Sequence, residues 1–174
     1  MANIIIREAE SEEDLEHLRS LLLEYLQHLV DVGLENICFS GYHKELSGVP
    51  ERYSVLLMAF ARTYEDLYEP AGCVLLQTIP LSRAGANDRT ANELACEMKR
   101  LWVRPAYRNS GVGRLLAERL IENARQKGFT AMYLDTVTDK MQAANALYAS
   151  LGFRPVARYN DNPVRDVAFF RLGL

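Results

Sequence analysis

The repeat of the chain changes between residues 103 and 111, and that change limits the folds open to it. Upstream, residues 93–103 read as a long strand that Pro105 stops. Downstream, Val112, Leu115, Leu116, Leu120, Ile121 and Ala124 recur with a helical period from Gly111 to Gln126, and Gly128 ends the pattern. A strand that hands over to a helix across a short loop calls for helices packed on a sheet. The junction is also chemically pointed. The first N–H groups of a helix have no partner inside it and carry the positive end of the helix dipole. Glycines at positions 111 and 113 remove the Cβ atoms that would keep a phosphate away. The loop therefore reads as a pyrophosphate cradle flanked by Arg104, Arg108 and Arg114. It is not a P-loop, because Arg114-Leu115 follows Gly113 where Lys-Ser/Thr is needed. Nor is it a dinucleotide fingerprint, which needs a small residue at Leu116 and follows the first strand of its fold.

The remaining periodicities fill in the order of elements. Residues 4–7 form a β-branched strand, and Ser11 with Asp14 three residues on opens a helix. Leu15, Leu18, Leu22, Tyr25, Leu26 and Leu29 make its buried stripe, with Gly33 near its end. A short helix is expected at 40–46, stopped by Gly48 and Pro50. Apolar runs at 53–62 and 72–79 read as a hairpin with Pro70 and Gly72 in the turn, and 82–92 reads as a polar loop. After the helix from Gly111 come a strand at 131–137, a helix at 141–151 closed by Gly152, and strands at 154–160 and 167–172. The order β-α-α-β-β-β-α-β-α-β-β predicts an α/β protein, one mixed sheet with helices on both faces, in a single domain spanning 1–174.

Charge narrows the partners. The chain has 20 Lys and Arg against 23 Asp and Glu, a net charge of −3, which argues against a general nucleic-acid binder. Within residues 99–127, however, eight basic residues face only Glu118 and Glu122, a local +6 suited to an anionic ligand. Cys38, Cys73 and Cys96 show no paired spacing, so neither a disulfide framework nor a metal site is expected. The start of the chain lacks the pattern of a signal peptide, and the longest apolar run, 55–61, is too short to span a bilayer. The expectation is a cytoplasmic protein with no membrane partner.

Two motifs carry a family resemblance. Arg108-x-x-Gly111-x-Gly113, after Leu101-Trp102-Val103-x-Pro105, resembles the acetyl-CoA motif of GNAT superfamily N-acetyltransferases. Residues 145–153, Asn-Ala-Leu-Tyr-Ala-Ser-Leu-Gly-Phe, resemble that family's second motif, in the right order and at a compatible separation. Residues 96–101 and 159–163 resemble a bacterial subgroup whose substrates are mostly unassigned. The resemblance implies the GNAT fold, a mostly antiparallel twisted sheet of six to seven strands splayed between the fourth and fifth, with acetyl-CoA as cosubstrate and no metal. Its pantetheine arm would lie along Leu101, Trp102 and Val103, bonded by the backbone of Leu101 and Val103. The N–H groups of Arg108, Asn109, Ser110, Gly111, Val112, Gly113 and Arg114 would hold the pyrophosphate. Asn145 would bond the arm from the other side, and Tyr148 would point at the thioester sulfur.

The implied reaction is transfer of an acetyl group to a primary amine of a small molecule or peptide. Glu97, on the fourth strand, is the candidate base, with a water chain as substitute. Tyr148 is the candidate donor to the leaving sulfur. His43, Tyr159, Asp161 and Asn162 are candidate acceptor contacts, and Phe39, Tyr42 and Trp102 candidates to shape the cleft. His17 and His28 read as exposed, and Cys96 as a buried strand cysteine. A non-catalytic acyl-CoA-binding sensor module is the alternative function. Nothing in the sequence fixes the acceptor, and a homodimer is compatible with it.

Overall fold

The computed structural model describes residues 3–34, 48–49, 51–63, 67–79, 94–162, 164 and 166–174. The expected helix at 40–46, the loop at 82–92 and the candidates His43, Phe39 and Tyr42 lie outside the described residues.

Strand β1 (Ile4–Glu8) leads to helix α1 (Glu12–Asp31), followed by β2 (Val55–Arg62), β3 (Tyr68–Ile79) and β4 (Ala95–Val103). A 3-10 turn (Pro105–Tyr107) precedes helix α2 (Val112–Gln126). Then come β5 (Ala131–Val137), helix α3 (Gln142–Ser150), β6 (Arg154–Val156) and β7 (Val167–Gly173). The strands form one sheet in the order β1-β2-β3-β4-β5-β7-β6. Every pairing is antiparallel except β4 with β5, which is parallel. This is the mixed seven-stranded sheet expected.

Alternation along the strands assigns the helices to opposite faces. Val55, Leu57, Ala59 and Ala61 of β2 pack in one cluster with Val112, Leu116, Leu120 and Ala124 of α2. Leu56, Met58 and Phe60, one residue out of phase, pack with Leu18, Leu21, Leu22 and Leu29 of α1. Ser11 caps α1 fully: its hydroxyl accepts from Asp14 N–H at 3.1 Å, and Asp14 Oδ2 accepts from Ser11 N–H at 3.2 Å. The same carboxylate takes two 2.6 Å hydrogen bonds from Arg7, tying β1 to the helix start.

Two boundaries and two side-chain roles differ from the sequence expectation. The turn between β2 and β3 lies before Tyr68, so Pro70 and Gly72 sit inside β3. A bulge opposite Ala59 and Phe60 accommodates the proline, which has no N–H for the ladder. Gly72 serves close packing rather than a turn, since a Cβ there would stand 2.5 Å from the Trp102 carbonyl oxygen. Leu115 is exposed, because Leu116, Ala117, Leu120, Ile121 and Ala124 centre the buried stripe of α2 on the far side. Finally, β6 ends at Val156, leaving Tyr159 and Asn160 in the segment that leads to β7.

Candidate active site

The site begins with one extra residue in β4. Glu97 and Met98 pair with Gln77 and Leu76, but Trp102 pairs with Cys73, so the register slips by one between Lys99 and Trp102. Arg100 absorbs the slip with φ +56°, unusual for a residue with a Cβ. The slip reverses side-chain parity: Cys96 and Met98 face α2, and so do Leu101 and Val103, while Trp102 turns toward α1. At the same place β4 leaves β5. Their parallel pairing covers only Ala95–Glu97 against Ala131–Tyr133.

A cleft opens beyond that point. Its outer part, about 580 Å³, is lined by Leu101, Trp102, Val103, the 107–114 loop and the first turns of α3. Its inner part, about 110 Å³, runs between Met98–Leu101 of β4 and Asp135–Val137 of β5, with Tyr25, Met141, Ala144 and Tyr148 around it. Tyr25, Leu101, Met141 and Ala144 belong to both parts, so the two are continuous.

The loop at the outer end is built to receive an anion. The first backbone hydrogen bond of α2 runs from Leu115 N–H to Gly111 O at 3.0 Å, which leaves the N–H groups of Val112, Gly113 and Arg114 over. No side chain caps this helix and no acidic residue sits in its first turn. Gly111 has φ +89° and Asn109 φ +60°, folding the loop so that it presents its amides. Nothing lies within 4 Å of where a Gly111 Cβ would stand, and a Gly113 Cβ would approach Val103 and Leu147 of the cleft walls. These residues fit the diphosphate of a CoA.

The flanking arginines divide their roles. Arg114 lines the cleft while bonding Glu118 at 3.2 Å and Ser150 at 2.7 Å. Arg108 lies over the Trp102 ring at 4.6 Å and donates from Nε to the Val103 carbonyl at 3.0 Å. That carbonyl, expected to meet the pantetheine arm, already has a partner within the chain. Arg104 points away altogether, chelating Glu24 and donating to the Pro70 carbonyl at 2.7 Å. Ser110 closes the loop on itself through the Tyr107 carbonyl, at 2.6 Å.

Tyr148 lies on α3, buried among the apolar residues of the α2 face, and it lines the inner cleft. Burial first, then Tyr25 and the charge of Asp135, raise its pKa, so the hydroxyl keeps its proton. Asn145, one helical turn earlier, is absent from the walls of either part of the cleft. Its Nδ2 donates to the Thr138 carbonyl at 2.9 Å, pinning the turn after β5, and its buried Oδ1 has no partner among the described residues.

Glu97 is 7% exposed and is not among the residues that line the cleft, although its partner Lys99 is. Its Oε1 accepts from Tyr159 at 2.7 Å, Lys99 at 3.1 Å and Asn160 at 3.3 Å. All three donors converge on one oxygen, and the place of Glu97 outside the cleft lining sets it back from an incoming amine. Tyr159 is buried between Tyr133 and Phe169 and serves Glu97. Asp161 is exposed, and of the acceptor candidates among the described residues only Asn162 lines the cleft.

Sequence reasoning missed several wall residues. Asp135 is the one charge within β5 and faces the inner cleft, a signal the strand pattern did contain. Lys140 lies in the turn after β5 at the cleft mouth. Tyr25 was absorbed into the apolar stripe of α1. His28, expected to be exposed, stacks on Trp102 at 5.1 Å and lines the outer cleft, and its half-burial lowers its pKa. Cys96 is buried as expected, its thiol pushed up to about 12 by burial and by Glu97.

Comparison with known proteins bears on the family and the fold. A sequence model of the acetyltransferase (GNAT) family matches residues 23–153. An uncharacterized N-acetyltransferase of Schizosaccharomyces pombe is 32% identical over 99% of this chain and 96% of its own length. The crystal structure of a GNAT-family acetyltransferase from Staphylococcus aureus superposes with TM-score 0.72 at 19% identity, covering 98% of this chain and 99% of that one. Arabidopsis thaliana NAA60 in complex with acetyl-CoA gives 0.71 at 19% identity, covering 99% of each.

Proposed function

The chain belongs to the acetyltransferase (GNAT) family, whose members use acetyl-CoA, and we propose that it moves the acetyl group to a primary amine of a small molecule or peptide by direct attack. The observation that carries this reading is the cleft between diverging β4 and β5, with unpaired helix N–H groups at its mouth and the Tyr148 hydroxyl at its inner end.

Acetyl-CoA supplies the acetyl group in activated form, as a thioester. The N–H groups of Val112, Gly113 and Arg114 hold its diphosphate, with Arg114 and Lys140 adding positive charge at the mouth. Arg108 lines the outer cleft and steadies the loop there, its guanidinium held by Trp102 and the Val103 carbonyl. Leu101 and Val103, turned by the bulge, form the wall along which the arm runs.

Tyr148 donates a hydrogen bond to the sulfur as negative charge develops there. Full proton transfer from a tyrosine to a thiolate is uphill by roughly 2 kcal/mol at ordinary pKa values of about 10 and 8.5. The raised pKa of Tyr148 makes it further uphill. The acceptor amine must shed a proton before it attacks, which costs roughly 4–5 kcal/mol at pH 7 for a pKa of about 10.4. Because Glu97 does not line the cleft and gathers Tyr159, Lys99 and Asn160 on one oxygen, we assign that proton to water in the open cleft and give Glu97 a supporting role.

The test is release of free CoA from acetyl-CoA across a panel of primary amines, with Glu97→Gln and Tyr148→Phe alongside. The reading expects amine-dependent release without a burst, slowed by Tyr148→Phe and largely kept by Glu97→Gln. Release that no amine accelerates would contradict it.

A further inference from the structure

The inner end of the cleft holds a carboxylate that the reaction as described leaves idle. Asp135 projects from β5 into the gap where β4 has departed, across the inner passage from Tyr148. One of its oxygens is fully used: Oδ2 accepts from Asn160 Nδ2 at 2.8 Å and from Asn162 Nδ2 at 3.0 Å. The other, Oδ1, has no hydrogen-bond partner among the described residues.

Its supports are themselves ordered. Asn160 Oδ1 accepts from Asn162 N–H at 3.1 Å, and Asn162 Oδ1 accepts from Val164 N–H at 3.0 Å, so the segment between β6 and β7 is folded into consecutive side-chain turns. Asn160 also reaches Glu97 at 3.3 Å, and Glu97 carries Tyr159 and Lys99. The whole network fixes a carboxylate that lines the passage and leaves one of its oxygens without a partner among the described residues. The charged groups near it are accounted for: Lys99 is neutralised by Glu97, and Arg100 lies over the Tyr25 ring at 5.9 Å. Burial alone would push the Asp135 carboxyl up, yet Lys99, the two asparagine amides and Arg100 hold it below the usual range. It is therefore an anion at neutral pH. The walls beside it, Leu29, Leu34, Met98 and Val137, are apolar, and the space is about 110 Å³.

Resting on the amine-acetylation reading, we infer that Asp135 Oδ1 is the docking point for the acceptor's ammonium group, and that the acceptor enters as a compact cation whose first carbons fill the apolar passage. The step balances without a further reactant. The docked R–NH₃⁺ releases a proton to water, its lone pair forms the N–C bond to the acetyl carbonyl carbon, and the nitrogen gives a second proton to water as the neutral amide forms. The C–S bond breaks with its electron pair on sulfur, which leaves as CoA thiol after protonation from water. Asp135 is not the final proton acceptor, because a carboxylate held below its ordinary range binds a proton weakly. Its work is to bind and orient.

That role is read in the split between acceptor KM and kcat. With alaninamide and n-propylamine as probes, Asp135→Asn keeps the hydrogen bonds from Asn160 and Asn162 but removes the charge. It is expected to raise KM for both amines at least tenfold, change kcat less than threefold, and leave the calorimetric affinity for acetyl-CoA within twofold. Asp161→Asn, at an exposed carboxylate off the cleft, is expected to change none of these. A second measurement needs only the unaltered protein: n-propylammonium should compete with alaninamide at least tenfold better than n-propanol does.

An unchanged KM in Asp135→Asn, a lost kcat with intact KM, or equal competition by the alcohol would overturn the assignment. If Asp135→Asn does not fold, the competition experiment alone decides. Absence of any amine-dependent CoA release by the unaltered protein would instead remove the parent reading, and the docking role with it, before a variant is made.

Discussion

Arg104 and Glu24, 80 residues apart in sequence, form a chelate: Arg104 Nε reaches both carboxylate oxygens at 3.0 and 3.1 Å, and Nη2 reaches Oε1 at 2.7 Å. The pair ties the middle of α1 to the end of β4, just where the cleft begins. With Arg104 Nη1 on the Pro70 carbonyl, it also secures the bulged stretch of β3. An arginine beside a glycine-rich loop invites a phosphate-binding role, but this one is spent on architecture.

Removing that arginine should therefore cost stability and not cofactor affinity. Arg104→Gln is expected to destabilise the fold by roughly 1–3 kcal/mol, the range for a charged hydrogen bond lost from a half-buried partner. Thermal unfolding reads this as a lower Tm, while acetyl-CoA affinity by calorimetry stays within about threefold. A large loss of affinity at unchanged Tm would return Arg104 to the cradle.

Tyr148→Phe should act on turnover alone. A hydrogen bond to developing charge contributes about 1.5–3 kcal/mol, so kcat is expected to fall roughly 10–100-fold with little change in acetyl-CoA affinity. The raised pKa of the tyrosine adds a pH signature. Its proton stays on through pH 10, so no alkaline loss of kcat in that range should trace to Tyr148. Steady-state rates from pH 7 to 10 in both proteins check this.

Much of this was legible in the sequence. The order of strands and helices and the single mixed sheet follow from periodicity and glycine placement, which are local signals. What was not legible depends on register. The one-residue slip at Arg100 decides which side of β4 faces the cleft, and nothing local announces it, because an arginine at positive φ looks like any other arginine in a strand. The surroundings of Glu97 were not legible for a related reason. Its partners Tyr159 and Asn160 come from a segment 62 residues downstream that reads as strand but is held out of the sheet. Asp135, a charge in an otherwise buried strand, was legible and was passed over.

The cap of α1 gives a prediction about acid. Asp14 accepts two hydrogen bonds from Arg7 and others from Ser11 and Glu10, and the Arg7 bonds above all hold its carboxyl well below the usual range. A depressed folded pKa means that the stabilisation is complete above the unfolded value near 4 and is lost only as pH falls through the folded value. Asp14→Asn should lose roughly 2–3 kcal/mol at pH 7, in line with charged hydrogen bonds and a cap together. The gap between the two proteins should close as pH drops below 4, as seen in denaturant midpoints from pH 7 to 2.

The described cysteines should stay silent in the reaction. Burial pushes both Cys73 and Cys96 up to about 12, so neither is a thiolate at neutral pH. Mass spectrometry after iodoacetamide treatment of the native protein should find both unlabelled, and acetyl-CoA alone should leave no acetyl group on them.

The central claim is that the amide-lined start of α2 holds the diphosphate of acetyl-CoA. Asn and Asp both tolerate the left-handed backbone that Gly111 adopts, are nearly the same size, and differ by one negative charge. Calorimetric titration of acetyl-CoA into Gly111→Asn and Gly111→Asp isolates that charge. The expected result is affinity within a few-fold of the unaltered protein for Asn and at least tenfold weaker binding for Asp, with both folded by circular dichroism. Equal affinity in the two variants would place the diphosphate elsewhere and contradict the account.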